Sequence, residues 1–376
     1  MQGDRRRLLH ILSTFAIGGP QIRLSQIIRG LGPGYAHDIV PLDGNALAAR
    51  LLPEKASWQL HEPPTTSGGL WHRIGLARDV MKSLKPDAVC TYNWGAIEWA
   101  MADRIQPIAR HFHFEDGFGP DESGDVQLAR RVWFRRLALG GRTQVIVPSQ
   151  TLLRLARDRW RLSKRRLHHI NNGIDVARFA PERRPAVQPA FARREGEVVI
   201  ISVGGLRTEK NFPLLIRAFA SARAALNGVT LRLVLVGDGP ERGKIERITG
   251  QLGLSDSVTL TGSLNNPEAA LLHADIFAIS SMTEQMPISL IEAMACGLPV
   301  AATNVGDIPT MLPHSGRDFV IASGDANGLA DRLGRLAGDA ALRQALGQEN
   351  RRRVITEYDE RTMIARYAAL FHGAAA

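Results

Sequence analysis

Short apolar runs recur along the chain at residues 8–12, 88–92, 144–148, 198–203, 231–236, 276–280 and 300–303, and stretches of helical character separate them. That rhythm of strand and helix predicts α/β architecture with parallel sheets. At 376 residues the chain exceeds what one hydrophobic core usually supports, so two domains are expected. The stretch PERRPAVQPAFARRE, residues 181–195, mixes prolines and arginines without strand or helix periodicity and reads as the linker. The expected division is residues 1–185, residues 186–355, and a terminal helix over 356–376, the end of a fairly polar helical stretch that begins near Arg351.

Hydrophobic residues at 44% and charged residues at 22% suit an ordinary globular protein and argue against a disordered, fibrous or disulfide-stapled one. Cys90 and Cys296 sit in apolar segments and read as buried thiols. The apolar run after Arg5, Arg6 and Arg7 is too short for a signal peptide, and no window has the length of a membrane span. The expected location is the cytoplasm. The net charge of +10 admits nucleic acid, an anionic membrane or phosphorylated substrates as partners. Much of it lies in Arg130, Arg131, Arg135 and Arg136 around Trp133 and Phe134, and in a second cluster from Arg154 to Arg166.

The segment TEQMPISLIEAMACGLPVA carries the most chemistry. Pro287 suits a first helical turn and Gly297 the position just past the helix end, before a new strand. Glu292 is flanked by Leu290, Ile291, Ala293, Met294 and Ala295, so its carboxylate is not freely solvated and calls for a hydrogen-bonding partner such as a sugar or ribose diol. Glu284 precedes the helix, whose first amides, those of Met286, Ile288 and Ser289, face an anion site. A phosphate site beside two carboxylates points to a nucleotide sugar. The structural alternative has Glu284 capping the helix and Glu292 pairing with a base.

In VVIISVGGLRTEKNFPLLIRAF a buried strand runs into Gly204 and Gly205, and a helix opens near Asn211. Lys210, with Arg207, then suits a diphosphate cradle that stabilises leaving-group charge, the structural alternative being a solvated loop lysine. Gly18 and Gly19 follow the first strand and permit close approach of a phosphate or an acceptor, the alternative being a plain turn. In HisPheHisPheGluAspGly, alternation places His111, His113 and Glu115 on one side of a strand, with Asp116 at its mouth. His113 would contact the transferred sugar or, in the structural alternative, serve as a core histidine. The spacing fits no familiar zinc motif. ValGlyAspGlyPro, residues 236–240, imitates a phosphate loop, yet Asp238 stands where a Walker motif needs glycine and Ile245 where it needs serine or threonine. Its glycine spacing fits a dinucleotide fingerprint no better.

Taken in order, GlyGly at 18–19, AsnAsnGlyIleAsp at 171–175 with ArgPheAlaPro after it, ValGlyGlyLeuArgThrGluLysAsn, LeuValGlyAspGlyPro and Glu284-x7-Glu292 resemble the retaining family-4 glycosyltransferases of the GT-B fold (glycosyl transferases group 1). The resemblance spans nearly the whole chain. It implies two Rossmann-like, doubly wound domains facing a cleft, the first for the acceptor and the second for the donor, with the terminal helix packing back on the first.

It also implies that Glu292 binds the ribose, that Glu284 lies near the donor sugar and that Lys210 holds the diphosphate. His113 would lie near the anomeric centre, and Gly18 and Gly19 with residues 286–289 would complete the donor site. The reaction implied is metal-independent retaining transfer from a UDP- or GDP-sugar to a glycan or lipid-linked acceptor, as in polysaccharide or lipopolysaccharide assembly, with no cofactor. The family places an arginine where this chain has Gly205, and Arg207 is the expected substitute.

The expected partners are the donor, the acceptor and an anionic inner-membrane surface reached through Trp133, Phe134 and their arginines, but not nucleic acid. Two other readings share these features: a nucleotide-sugar epimerase or hydrolase on the same fold, and a basic protein that binds membrane or nucleic acid.

Overall fold

The computed structural model describes residues 5–65, 67–118, 122, 126–184, 191 and 193–373. The chain divides into one unit formed by the residues up to Asn172 together with those from Arg361 onward, and a second running from Gly173 to Glu360. The proline-rich stretch 181–195 lies partly outside the described residues.

In the first unit β1 (Arg6–Leu12), β2 (Tyr35–Pro41), β3 (Ser57–Leu60), β4 (Ala88–Tyr92), β5 (Arg110–Phe114), β6 (Gln144–Val147) and β7 (Leu167–His169) form one parallel sheet in the order β3-β2-β1-β4-β5-β6-β7. Helices α1 (Gly19–Leu31), α2 (Leu70–Leu84), α3 (Ile97–Ile105), α4 (Ala129–Ala138) and α5 (Gln150–Asp158) connect the strands. β2 contains no continuous apolar run because His37 and Asp38 interrupt it, although both are buried. Asp38 tolerates burial by accepting from Arg7 at 2.9 Å and pairing with His61 at 2.7 Å. Cys90 lies inside this core, and burial raises its thiol pKa well above the ordinary value.

In the second unit β8 (Glu197–Val203), β9 (Thr230–Val236), β10 (Val258–Gly262), β11 (Ile276–Ile279), β12 (Val300–Thr303) and β13 (Val320–Ile321) form a parallel sheet in the order β10-β9-β8-β11-β12-β13. The surrounding helices are α6 (Phe212–Ala225), α7 (Arg242–Gln251), α8 (Pro267–Leu271), α9 (Ile288–Ala295), α10 (Ile308–Met311), α11 (Ala326–Gly338) and α12 (Ala340–Glu357). Phe212, Leu215 and Phe219 of α6 and Leu329, Leu333 and Leu336 of α11 pack with strand residues Ile200, Leu233 and Leu235 into one core.

The helical stretch that closes the chain is two helices, α12 and then α13 (Glu360–His372), rather than one. The helix stops because backbone groups at its end bond to a second segment instead: Ile174 N–H donates to Tyr358 O, and Glu360 N–H to Ile174 O, both at 2.9 Å. A Cβ on Gly173 would fall 2.8 Å from the Glu360 Cα, so the glycine of AsnAsnGlyIleAsp permits this close pairing. α13 buries Met363, Tyr367, Leu370 and Phe371 in the core of the first unit. There Phe371 meets Phe112 edge-on at 5.1 Å, and Arg110 donates to the Phe371 carbonyl at 2.7 Å, satisfying an end of the helix.

Candidate active site

In an open parallel sheet, ligands bind beyond the C-terminal strand ends where the strand order reverses. In the second unit that point lies between β8 and β11, and it gathers most of the residues singled out in the sequence. The loop after β8 carries Gly204, Gly205, Arg207 and Lys210, and the loop after β11 carries Ser281 and Glu284. The loops are stitched together: Ser280 Oγ donates to Lys210 O at 2.9 Å and Met282 N–H to Glu209 O at 2.8 Å. Lys210 Nζ then meets Glu284 Oε1 in an ion pair, and Ser281 Oγ donates to the same oxygen at 2.8 Å. Glu284 therefore does not cap α9.

Both glycines of the pair lie under cations. A Cβ on Gly204 would touch Lys210 Cε at 3.6 Å, and one on Gly205 would come within 3.1 Å of Arg207 Nε. The Arg207 guanidinium folds back over position 205 while its side chain stays 56% exposed beside Glu209. The phosphate-loop look-alike has a structural use: Leu206 N–H donates to Asp238 O at 3.0 Å, and Cβ atoms on Gly237 and Gly239 would strike Gly204 O at 1.9 Å and Leu206 O at 2.5 Å. These glycines let one loop support the other.

α9 starts at Ile288, with Pro287 extended at the N-cap instead of inside the first turn. Ile288 and Ser289 open the helix, where no acceptor exists four residues back. Gly297 follows its end with φ +74°, a left-handed conformation suited to glycine. Met286, Ile288 and Glu292 are buried. The Glu292 carboxylate has no hydrogen bond or ion pair among the described residues, and burial pushes its pKa up from 4.5 to about 7 against the pull of Arg178. Arg178 itself is engaged by Glu268 at 2.7 Å. Cys296, close to Glu292, is also buried.

The other residues singled out in the sequence belong to the first unit. Gly18 is the extended N-cap of α1 and Gly19 its first residue. His113 is wholly buried: its Nδ1 lies 2.8 Å from Thr91 Oγ1, which also meets His111 Nε2 at 2.9 Å, while its Nε2 lies 3.5 Å from Glu115 Oε2. Burial lowers the His111 pKa to about 3, so it stays neutral. The alternation of His111, His113 and Glu115 thus aims all three inward, and Asp116 marks the strand mouth. Arg135 is likewise interior, paired with Glu115 at 3.3 Å and Glu122 at 3.0 Å, and sits over the rings of Trp94 and Trp160 at 5.0 Å each. The arginine cluster of α4 is therefore not one uniform surface.

Two further constellations escaped the motif reading. Arg178 and Glu268 flank Glu292, and Arg23 of α1, also buried, pairs with Asp116 at 2.8 Å and donates to Asn172 at 3.1 Å. Although burial opposes its charge, Asp116 holds Arg23 above its ordinary pKa. The signal for Arg178 was its place in the ArgPheAlaPro run; Arg23 has none, since it is a lone arginine in an otherwise helical pattern.

The chain matches two family models, Glycosyltransferase Family 4 over residues 18–178 and Glycosyl transferases group 1 over residues 184–353. It is 31% identical to the putative glycosyltransferase EpsF of Bacillus subtilis over 80% of this chain and 79% of that one. It is 28% identical to the N-acetyl-alpha-D-glucosaminyl L-malate synthase of Bacillus anthracis over 54% of this chain and 52% of that one. The chain spans about half the length of this and other curated relatives it matches. Its fold is that of Anabaena Alr3699/HepE, solved in complex with UDP and glucose: TM-score 0.82 with 18% identity, covering 98% of this chain and 100% of that one. By its sequence and its two parallel-sheet, Rossmann-like units, the chain belongs to the family-4 glycosyltransferases of the GT-B fold.

Proposed function

We propose that this chain transfers a hexose, with retention of configuration and without a metal, from a UDP- or GDP-sugar to a glycan or lipid-linked acceptor. The observation that carries this reading is the ion pair of Lys210 with Glu284 at the β8/β11 reversal, beside Arg207 and the N-terminus of α9. Cations and helix amides form a diphosphate site. The Glu292 carboxylate, buried and without a partner among the described residues, accepts from the ribose hydroxyls. Relatives named for nucleotide-sugar chemistry, such as the GDP-mannose-dependent mannosyltransferase of Mycolicibacterium smegmatis, support it.

In the reaction the bond between the anomeric carbon and the diphosphate oxygen breaks while the acceptor oxygen bonds to the same face of that carbon. The acceptor proton passes to the departing phosphate oxygen. Lys210 and Arg207 stabilise the charge that develops there, and Glu284 orients the sugar once the diphosphate competes for Lys210. His113, wholly buried, acts as a positioning group behind Glu115 at the mouth of β5. Gly18 and Gly19 allow substrate to approach the start of α1. The enzyme works at the inner face of the membrane, where its net positive charge favours anionic lipid.

Thermal melts with UDP-, GDP- and ADP-sugars test the reading, because a ligand of the native state must raise Tm. One donor is expected to stabilise the protein and, with acceptor and EDTA present, to yield a product of unchanged anomeric configuration. Absence of any nucleotide-dependent shift would sink the proposal, and acceptor-independent release of free sugar would replace transfer with hydrolysis.

A further inference from the structure

A pocket of about 610 Å³ opens in the first unit beside the reversal between β1 and β4. The loops after these strands touch: a Cβ on Gly95 would fall 2.2 Å from Ser13 Cβ, so the chain is drawn tight where the pocket begins. Its volume is that of a small-molecule site, and its position follows the rule for open parallel sheets. The walls are mostly apolar, with Leu42, Leu70, Leu76, Trp94 and Phe134 among them. The charged residues of the lining, Arg73 and Glu98, pair with each other through two bonds of 2.8 and 2.7 Å. The interior therefore offers apolar surface and a neutralised ion pair, which suits a hydrocarbon better than a free sugar or phosphate.

Two of the three helices that line the pocket, α2 and α4, point to where such a hydrocarbon comes from. α2 contributes Leu70 and Leu76, and its Trp71 is 74% exposed; α4 contributes Phe134, and its Trp133 is 62% exposed. Leu137, one turn beyond Trp133, is also exposed, while Arg136 lies over the Trp133 ring at 4.8 Å and Arg130 is exposed at the start of the helix. Exposed tryptophan and leucine among arginines is the composition that settles at an anionic lipid surface. We propose that the pocket receives the hydrocarbon chain of a membrane-anchored acceptor with an anionic head. The tryptophans of α2 and α4 rest in the interface, and the chain passes from the bilayer into the pocket. This rests on the glycosyltransferase reading above and names its acceptor class.

The test uses the full chain and farnesyl phosphate as probe, below its micelle concentration. Farnesyl phosphate is expected to raise Tm by about 5 °C at hundredfold excess over its Kd, inorganic phosphate to have no such effect, and Leu76→Trp, which fills the pocket, to abolish the rise. The ligand-free melting transition and near-UV circular dichroism of Leu76→Trp, compared with the parent's, report whether the first unit remains folded, and UDP and GDP shifts are read in the same melts. A photoreactive farnesyl phosphate analogue gives an independent readout on the unmodified protein and should label the α2 segment or Trp94. An absent shift, a shift reproduced by inorganic phosphate or retained in Leu76→Trp, or labelling elsewhere would overturn the pocket. If farnesyl phosphate binds and no nucleoside diphosphate does, the donor reading falls while the pocket stands; the reverse result removes the pocket alone.

Discussion

Lys210 and Glu284, 74 residues apart in sequence, form an ion pair where the strand order of the second sheet reverses. The side chains are only 20% and 12% exposed, so the pair is poorly screened and each charge governs what the other can bind. Replacing Glu284 by glutamine leaves the lysine charge for a diphosphate. UDP or GDP should then bind about tenfold more tightly, roughly 1.4 kcal/mol, while sugar transfer is lost. Lys210→Ala should weaken the same nucleotides about a hundredfold. Calorimetric titration of both variants checks this; parallel losses of nucleotide affinity would contradict it.

Glu292 makes stability depend on pH. Its pKa is raised from 4.5 to about 7 by burial, so the stabilisation of its protonated form is present below 4.5 and is lost as pH rises through 7. The difference corresponds to about 3 kcal/mol. Glu292→Gln should therefore be more stable than the parent at pH 8 by up to that amount and nearly equal to it at pH 4.5. Denaturant melts at the two pH values measure it. Hydroxyl groups that donate to the carboxylate favour its charged form, so donor binding at pH 6.5 should release protons, visible as buffer-dependent heats.

Arg207 occupies the space that a side chain at position 205 would enter. Arg207→Ala should weaken UDP or GDP about tenfold, and adding Gly205→Arg to it should restore binding. In the parent background Gly205→Arg should help little, because two guanidinium groups would compete for one volume. Nucleotide affinities of the three variants decide the matter.

The loop after β8 depends on backbone contact at Gly237, whose φ of +141° and 1.9 Å approach to Gly204 O exclude a side chain. Gly237→Ala should destabilise the second unit by about 1–3 kcal/mol and weaken nucleotide binding as the Gly204 loop shifts. Melting and titration should move together; a variant with full nucleotide affinity would separate the loop from the site.

On α4, Trp133 and Leu137 are exposed beside Arg130 and Arg136. The double variant Trp133→Ala/Leu137→Ala should sediment with anionic vesicles several-fold less than the parent, and added salt should weaken the parent as well. Unchanged sedimentation would remove α4 from the membrane surface.

Much of the architecture was legible in the chain itself. The continuous apolar runs identified β1, β4, β6, β8, β9, β11 and β12, because the strands of a sheet covered on both faces need little else. β2 escaped because its buried His37 and Asp38 are tolerated only through partners elsewhere, Arg7 and His61 among them. The break between α12 and α13 escaped for a related reason: Tyr358 and Glu360 bond to Ile174, far away in sequence.

The same division holds at the glutamate pair. The local pattern determined that Glu292 lies on an apolar helix and that Glu284 precedes its N-terminus, since both follow from periodicity and helix-end chemistry. Only the tertiary structure decided that Glu284 holds Lys210, that Glu292 stands unpaired among the described residues beside Arg178 and Glu268, and that Arg207 covers Gly205. It also turned His113 inward, where alternation along β5 had located its side but not whether that side faces solvent or core. Periodicity records which residues share a face; which partner meets that face depends on contacts between segments distant in sequence, and those form only when the chain packs.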